Sequence, residues 1–260
     1  MGRNAHATYI EDDFMTDFIK ACIKANEEIS LALKDGFDAS WFEKTTVGAG
    51  GDVSSKLDIF AEEIFVKHLS AFGQIESEES GLIMNDALGE GASQIIIDPI
   101  DGSSNALSLF PYYGTSVAKV NADGILDTAI VCNLANGDLF LKAPNAEVVQ
   151  GKLFSTTFHT PYTVPNAEIG LFEKAYAYPE LVAALNEEKL KFRAPGAIAV
   201  SLAYARTVKY VLFVGAFRIY DFAAGLALCE GLEVIVEADY VIVSKDKAIA
   251  QKIEELIHNL

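Results

Sequence analysis

The segment Asp98-Pro-Ile-Asp-Gly-Ser-Ser-Asn105 concentrates more potential chemistry than any other stretch of the chain. An uninterrupted apolar run, Ile95-Ile-Ile97, ends in the carboxylate of Asp98, turns at proline, and offers a second carboxylate, Asp101, three residues later. Two hard oxygen ligands at such a turn suit divalent cations of the Mg2+ type. Gly102 allows close backbone approach, and Ser103 and Ser104 begin an expected helix whose free N–H groups and positive dipole end favour a phosphate. An Asp-Pro turn followed by a capping serine accounts for an isolated D-P-x-D equally well; the full octapeptide is far more specific.

Three further carboxylate stretches stand apart from it in sequence. Glu76-Ser-Glu-Glu-Ser-Gly81 places Glu78 and Glu79 at an expected strand-to-loop transition, although a solvated acidic turn explains such a run by itself. Asp221, in Tyr220-Asp-Phe-Ala-Ala-Gly225, precedes an apolar, small-residue segment and reads equally as a helix cap. Asp58 and Glu62 share one face of an expected helix. The chain as a whole carries a formal charge of −17, which opposes nucleic acid as a principal partner. A phosphorylated ligand meets the same repulsion, so a local positive centre is required, and a divalent metal is its natural supplier.

The elements that must position these groups are readable in outline. Apolar residues Phe14, Phe18, Cys22, Ala25, Ile29 and Leu33 mark a helix from Asp12 to Lys34. The glycine-rich turn at 47–51, read as the hinge of a mobile loop, is expected to lead into a second helix bearing Leu57, Ala61, Ile64, Phe65 and Leu69. Strands are expected at 94–98, 114–120, 125–133 and 138–142, with Asn136-Gly137 as a hairpin signal. Beyond 150 the expectation is an irregular stretch at 154–167, strands at 169–172 and 210–214, and one or two strands within 233–243. Helices are expected after Pro179, at 197–206, at 222–229 and at 248–257. This alternation is layered α/β, with halves at 1–145 and 146–260 forming one compact unit.

Other features set bounds. No stretch approaches the roughly 20 apolar residues that span a bilayer, and the first residues lack secretory-signal features, so a soluble, cytoplasmic protein without membrane contact is expected. Cys22, Cys132 and Cys229 read as buried packing residues, and the four histidines show no metal-ligand spacing.

The four carboxylate stretches, in this order and spacing, resemble the inositol monophosphatase and fructose-1,6-bisphosphatase superfamily of Mg2+-dependent, lithium-sensitive phosphatases. The resemblance runs from Lys56-Leu-Asp58 through Glu78-Glu-Ser80 and the Asp98 loop to Asp221-Phe-Ala-Ala-Gly225. It implies a five-layered αβαβα (α+β) fold and a homodimer. It also implies that Glu78, Asp98, Asp101 and the Ile100 carbonyl hold one metal, that Asp221 completes a second site, and that two or three Mg2+ ions bind. Asp58 and Glu79 then bind a further ion or orient the attacking water with Ser103, while Gly102, Ser103 and Ser104 receive the phosphate. Arg218 is the best candidate for a cation touching substrate; a surface arginine packed on Phe217 or Tyr220 is the competing explanation. In inositol monophosphatases a glutamate seven residues before the late aspartate contacts a substrate hydroxyl, and Val214 stands there in this chain. The implied activity is hydrolysis of a small sugar or polyol phosphate, with fructose 1,6-bisphosphate included. A 3′-phosphoadenosine nucleotide phosphatase and a regulatory binding protein that keeps the metal pocket are the alternatives.

Overall fold

The structure, a computed structural model, describes residues 14–260 apart from Phe37, Asp52 and Glu90. The first helix, α1 (Asp17–Lys34), starts where the Thr16 hydroxyl accepts the Ile19 N–H, and the expected apolar stripe from Phe18 to Leu33 is its buried face. The expected start at Asp12 lies outside the described residues. The glycine-rich turn does not run directly into the next helix: it sits between strands β1 (Lys44–Val47) and β2 (Val53–Ser55). Helix α2 (Lys56–Leu69) follows at once, opened by a reciprocal capping box between Ser55 and Asp58.

The first sheet is built from β3 (Gln74–Ser77), β4 (Gly81–Ile83), β5 (Gln94–Asp101), β6 (Gly114–Val120), β7 (Leu126–Asn133), β8 (Asp138–Lys142), β9 (Val149–Lys152) and β10 (Phe158–His159). Its order is β10-β9-β8-β7-β6-β5-β3-β4, so it extends through His159, past the division expected near residue 145 and into the stretch expected to be irregular. The second sheet contains β11 (Gly170–Glu173), β12 (Phe192–Arg193), β13 (Tyr210–Val214), β14 (Glu233–Val236) and β15 (Tyr240–Ser244), in the order β12-β11-β13-β15-β14.

Side-chain burial sorts these sheets and their helices into five layers. Ile95 and Ile97 of β5 pack with α1 and α2, while Ile96 faces the opposite side, against Ala199 and Val200 of α5 (Ile198–Ala203) and Ala224 of α6 (Ile219–Ala227). Burial on both faces is why β5 reads as an uninterrupted apolar run. The far side of α5 and α6 buries Leu202 and Phe222 against Val211, Phe213 and Val243 of the second sheet. The outer face of that sheet, with Phe172, Leu212 and Ile242, is covered by Leu181 and Leu185 of α4 (Pro179–Glu187) and Ala250 and Ile253 of α7 (Lys247–His258). The order helix, sheet, helix, sheet, helix is the expected αβαβα sandwich. Cys22, Cys132 and Cys229 are buried free thiols, and no helix among the described residues is long and apolar enough to cross a membrane.

Candidate active site

Two features of the first sheet bring carboxylates together. Among its described strands, β3 and β5 alone pair in parallel, with Ser77 opposite Ile97, so the next residues, Glu78 just past β3 and Asp98 still within β5, stand side by side. The Glu78 N–H donates to the Ile97 carbonyl at 3.1 Å and holds that register. The second feature is a β-bulge. In a regular strand, residues three apart point to opposite faces. Here Asp98 pairs with Ser116 but Asp101 with Gly114, so β5 carries one extra residue, Pro99 falls in the irregular span, and both carboxylates reach one cavity.

That cavity, about 790 Å³, is lined by Asp58, Glu78, Glu79, Asp98, Ile100, Asp101, the Gly102–Ser104 turn, Arg218 and Asp221, whereas Glu62 and Val214 are not part of its wall. Glu78, Asp98 and Asp221 each direct a carboxylate oxygen to within 4.8 Å of the others. Asp221 comes from the middle helical layer. It lies within the first turn of α6, which begins at Ile219 with Arg218 in the capping position, and is therefore not the helix cap that the sequence allowed. Asp101 stands outside the mutual group and its Oδ2 accepts the Val200 N–H at 2.7 Å.

Arg218 is neither a bare surface arginine nor oriented solely to the open cavity. Its Nη1 is 2.6 Å from Glu78 Oε1, and Nε and Nη2 grip the two oxygens of Asp221 at 2.8 and 3.1 Å. Nη1 also donates to the Gly50 carbonyl at 3.1 Å, which ties the glycine turn to the site.

Even with this guanidinium the pocket is short of positive charge. Burial, then Glu78, Asp101 and other neighbouring acids, push the Asp98 carboxyl well above the usual range; burial does the same to Asp101 against the Val200 N–H. Glu78 is pushed up to about 7 by burial, with Arg218 opposing and Asp221 and Glu79 adding to the rise. Glu79 also reaches about 7 through burial, against the hydrogen bond from the Ser54 hydroxyl. A buried set of oxygen donors that cannot all ionise without a cation is chemically matched to hard divalent ions.

Asp58 and Ser103 form the other side of the site. Asp58 Oδ2 accepts the Ser55 N–H and hydroxyl, both at 2.7 Å, and Oδ1 accepts the Ser103 hydroxyl at 2.5 Å. Ser103 Oγ also lies 3.0 Å from the Ile100 carbonyl. Ser103 and Ser104 open the short helix α3 (Ser103–Leu107), and Gly102 precedes it at φ 87°, a left-handed conformation that favours glycine. A Cβ on Gly102 would also sit 3.0 to 3.2 Å from Ala197 Cβ, the Gly196 carbonyl and the Tyr112 carbonyl.

Several residues at the cavity escaped the sequence reading. Glu173 ends β11 much as Asp98 ends its apolar run. Its carboxylate accepts the Gly196 N–H at 2.7 Å and the Ser201 hydroxyl at 2.5 Å, and burial raises its pKa. The signal was available, because ligands gather at the C-terminal ends of parallel strands and β11 and β13 are parallel. Two residues named in the sequence but given no role also hold the site's backbone: Asn105 bridges the carbonyls of Tyr112 and Pro195, both at 2.7 Å, and Glu62, behind the cavity, accepts hydrogen bonds from Ser77 and Ser80, which shapes the turn carrying Glu78 and Glu79. Lys44 and Lys174 line the cavity with no motif to mark them. His68 bonds Glu28 at 2.8 Å, between α2 and α1.

Comparison with known proteins agrees with this arrangement. A curated fructose-1,6-bisphosphatase/inositol-1-monophosphatase of Methanothermobacter thermautotrophicus is 29% identical over 201 residues, covering 71% of this chain and 70% of that protein. A bifunctional NADP phosphatase/NAD kinase of Methanocaldococcus jannaschii is 28% identical over 256 residues, covering 84% of this chain but only 44% of that protein, so the chain spans less than half its length. Among solved structures, the extragenic suppressor protein SuhB of Bartonella henselae has a TM-score of 0.77 at 19% identity, covering 93% of this chain and 98% of that one; this is likeness of fold. The model of the inositol monophosphatase family matches residues 13–237, a span that contains every carboxylate described at the cavity. The chain therefore belongs to the inositol monophosphatase family.

Proposed function

We propose that this protein is a Mg2+-dependent phosphomonoesterase acting on a small sugar or polyol phosphate, with Glu78, Asp98, Asp101, Asp221 and the Ile100 carbonyl as metal ligands. The observation that carries this reading is the meeting of three carboxylates within 4.8 Å in a cavity that also holds the linked Ser103 and Asp58 side chains. Divalent cations bound there would neutralise the substrate phosphate and acidify a water molecule. The chain's own groups supply orientation and proton handling. Asp58, fixed by Ser55, and Ser103 orient the attacking water for in-line approach to phosphorus. Glu79, which lines the same cavity beside Asp58, is the carboxylate available to accept its proton. First-turn N–H groups at Gly102, Ser103 and Ser104, which lack intrahelical partners, receive phosphate oxygens, and Arg218 supplies a cation to the substrate.

The substrate class is tested by phosphate release from inositol 1-phosphate, fructose 1,6-bisphosphate, glucose 1-phosphate, adenosine 3′,5′-bisphosphate and NADP+. Each is assayed with Mg2+, with chelator and with lithium. Mg2+-dependent, lithium-sensitive release from a sugar or polyol phosphate is expected. Absence of release from every substrate, by folded protein that binds Mg2+, would overturn the reading in favour of a binding role. A second reading, a nucleotide phosphatase, is supported by the alignment with the Methanocaldococcus relative across most of this chain. Preference for NADP+ or adenosine 3′,5′-bisphosphate would select it.

A further inference from the structure

Two of the three carboxylates that converge in the cavity are already occupied by one side chain. Asp221 gives both its oxygens to Arg218, through Nε at 2.8 Å and Nη2 at 3.1 Å, while Glu78 Oε1 lies 2.6 Å from Nη1. The same Nη1 reaches the Gly50 carbonyl at 3.1 Å, so the guanidinium bridges α6, the turn after β3 and the glycine loop. That loop is pressed onto the ion pair. A Cβ on Gly50 would fall 2.5 Å from Glu78 Cγ and 3.0 Å from Arg218 Nη1, while the Ala49 and Gly50 N–H groups donate to the carbonyls of Glu79 and Glu78 at 3.0 and 2.7 Å.

A divalent cation entering the Glu78, Asp98 and Asp221 group meets a fixed positive charge on two of its three ligands. Each oxygen of Asp221 keeps a second lone pair for a metal, but two cations on one carboxylate repel each other, and each weakens the other's hold. We infer that Arg218 is a tethered competitor cation: it neutralises Asp221 and Glu78, latches the glycine loop, and competes with a divalent ion for those two carboxylates. Release of the guanidinium would unlatch Gly50 and leave a mobile cation beside the incoming phosphate. Metal entry, loop release and provision of a phosphate-binding charge then become one linked event. Linkage also runs backward, since the pairing must weaken metal binding by the same factor that metal weakens the pairing. This inference rests on the cavity being a metal-dependent phosphatase site.

The test uses the full chain stripped with chelator, as wild type, Arg218→Gln and Arg218→Lys, titrated calorimetrically with Mg2+ and Mn2+ in the absence of substrate. Thermal melts verify the fold of each variant. Arg218→Gln is expected to bind its first divalent ion about tenfold more tightly than wild type, within the usual range of site-to-site coupling. Arg218→Lys, which keeps a charge but loses the planar fork, should fall between them. Hydrogen exchange at Ala49 and Gly50 should accelerate when metal is added to wild type and should already be fast in metal-free Arg218→Gln. Unchanged or weaker metal affinity in folded Arg218→Gln, or loop exchange indifferent to metal, overturns the competition. The two readings fail separately. Tighter metal binding by Arg218→Gln in a protein that hydrolyses no phosphate ester removes the phosphatase and leaves the competition standing, whereas normal wild-type turnover with unaltered metal affinity in the variant removes the competition alone.

Discussion

Asp98 is fully buried among like charges, so the same carboxylate that suits a metal burdens the metal-free protein. Asp98→Asn keeps the shape and removes the charge. We expect its metal-free form to melt higher than wild type. We expect its turnover with saturating Mg2+ to fall by at least about 100-fold, since losing a partner merely behind a ligand already costs 10- to 100-fold. Near-normal turnover would show that Asp98 is not a ligand. Ser103→Ala removes a 2.5 Å hydrogen bond to Asp58 without opening a large cavity. Steady-state kinetics should show kcat reduced on the order of 100-fold with KM little changed, the pattern of a misplaced water. An equal loss carried by KM alone would make Ser103 a binding group only. At this scale the acids were readable because residue type and local spacing survive in one dimension. The Arg218–Glu78 pair was not, because nothing in the sequence near Arg218 indicates which distant carboxylate it meets.

Elements succeed or fail as predictors according to how much of their stabilisation is local. Strands β6, β7 and β8 were visible because of their apolar periodicity and the Asn136-Gly137 signal, but the register Asn133 with Asp138 leaves a four-residue loop instead of the two-residue turn that Asn-Gly alone would give. Strand β3 was marked only at its acidic end, as a strand-to-loop transition, and its start was not. Its sequence Gln-Ile-Glu-Ser is mostly polar, and pairing with β5 stabilises it. Edge strands β10 and β12, two residues each, carry too little pattern to be seen. The extra residue in β5 is likewise invisible without its partner β6. Gly102 joins that bulge to α3, and Gly102→Ala should cost about 1–3 kcal/mol of stability from the left-handed backbone alone. Its close neighbours at 3.0 to 3.2 Å add to this cost. A melting temperature unchanged within error would mean that the turn can relax to another conformation.

The whole molecule should display the cavity's electrostatics in its stability. Glu78 and Glu79 move from an ordinary 4.5 to about 7 on folding, and Asp98 and Asp101 move in the same direction. Groups whose folded pKa is raised favour the native state at low pH, and that contribution is lost as pH climbs from about 4.5 through 7. In chelator, melting should therefore be higher at pH 5 than at pH 8 once other titrations are matched by a control lacking Asp98. Added Mg2+ should raise it more at pH 8, where the carboxylates bind metal without first releasing protons. A Mg2+ increment independent of pH would place the ion elsewhere.

The layer order has a further consequence, for the path by which the chain folds. Asp221 rides on α6, between the two sheets, while Glu78 and Asp98 emerge from the first sheet. The first sheet with its outer helices lacks the set of three; it exists only after α6, which follows most of the second sheet in the chain, has docked on the first sheet. An ion that needs all three has nothing to hold in a half-assembled chain, so it cannot act as a nucleus. We expect its binding energy to enter after the rate-limiting barrier. Mg2+ should thus leave the refolding limb of a denaturant chevron almost unmoved and slow the unfolding limb, making the ion a lock on the finished molecule rather than a guide to it.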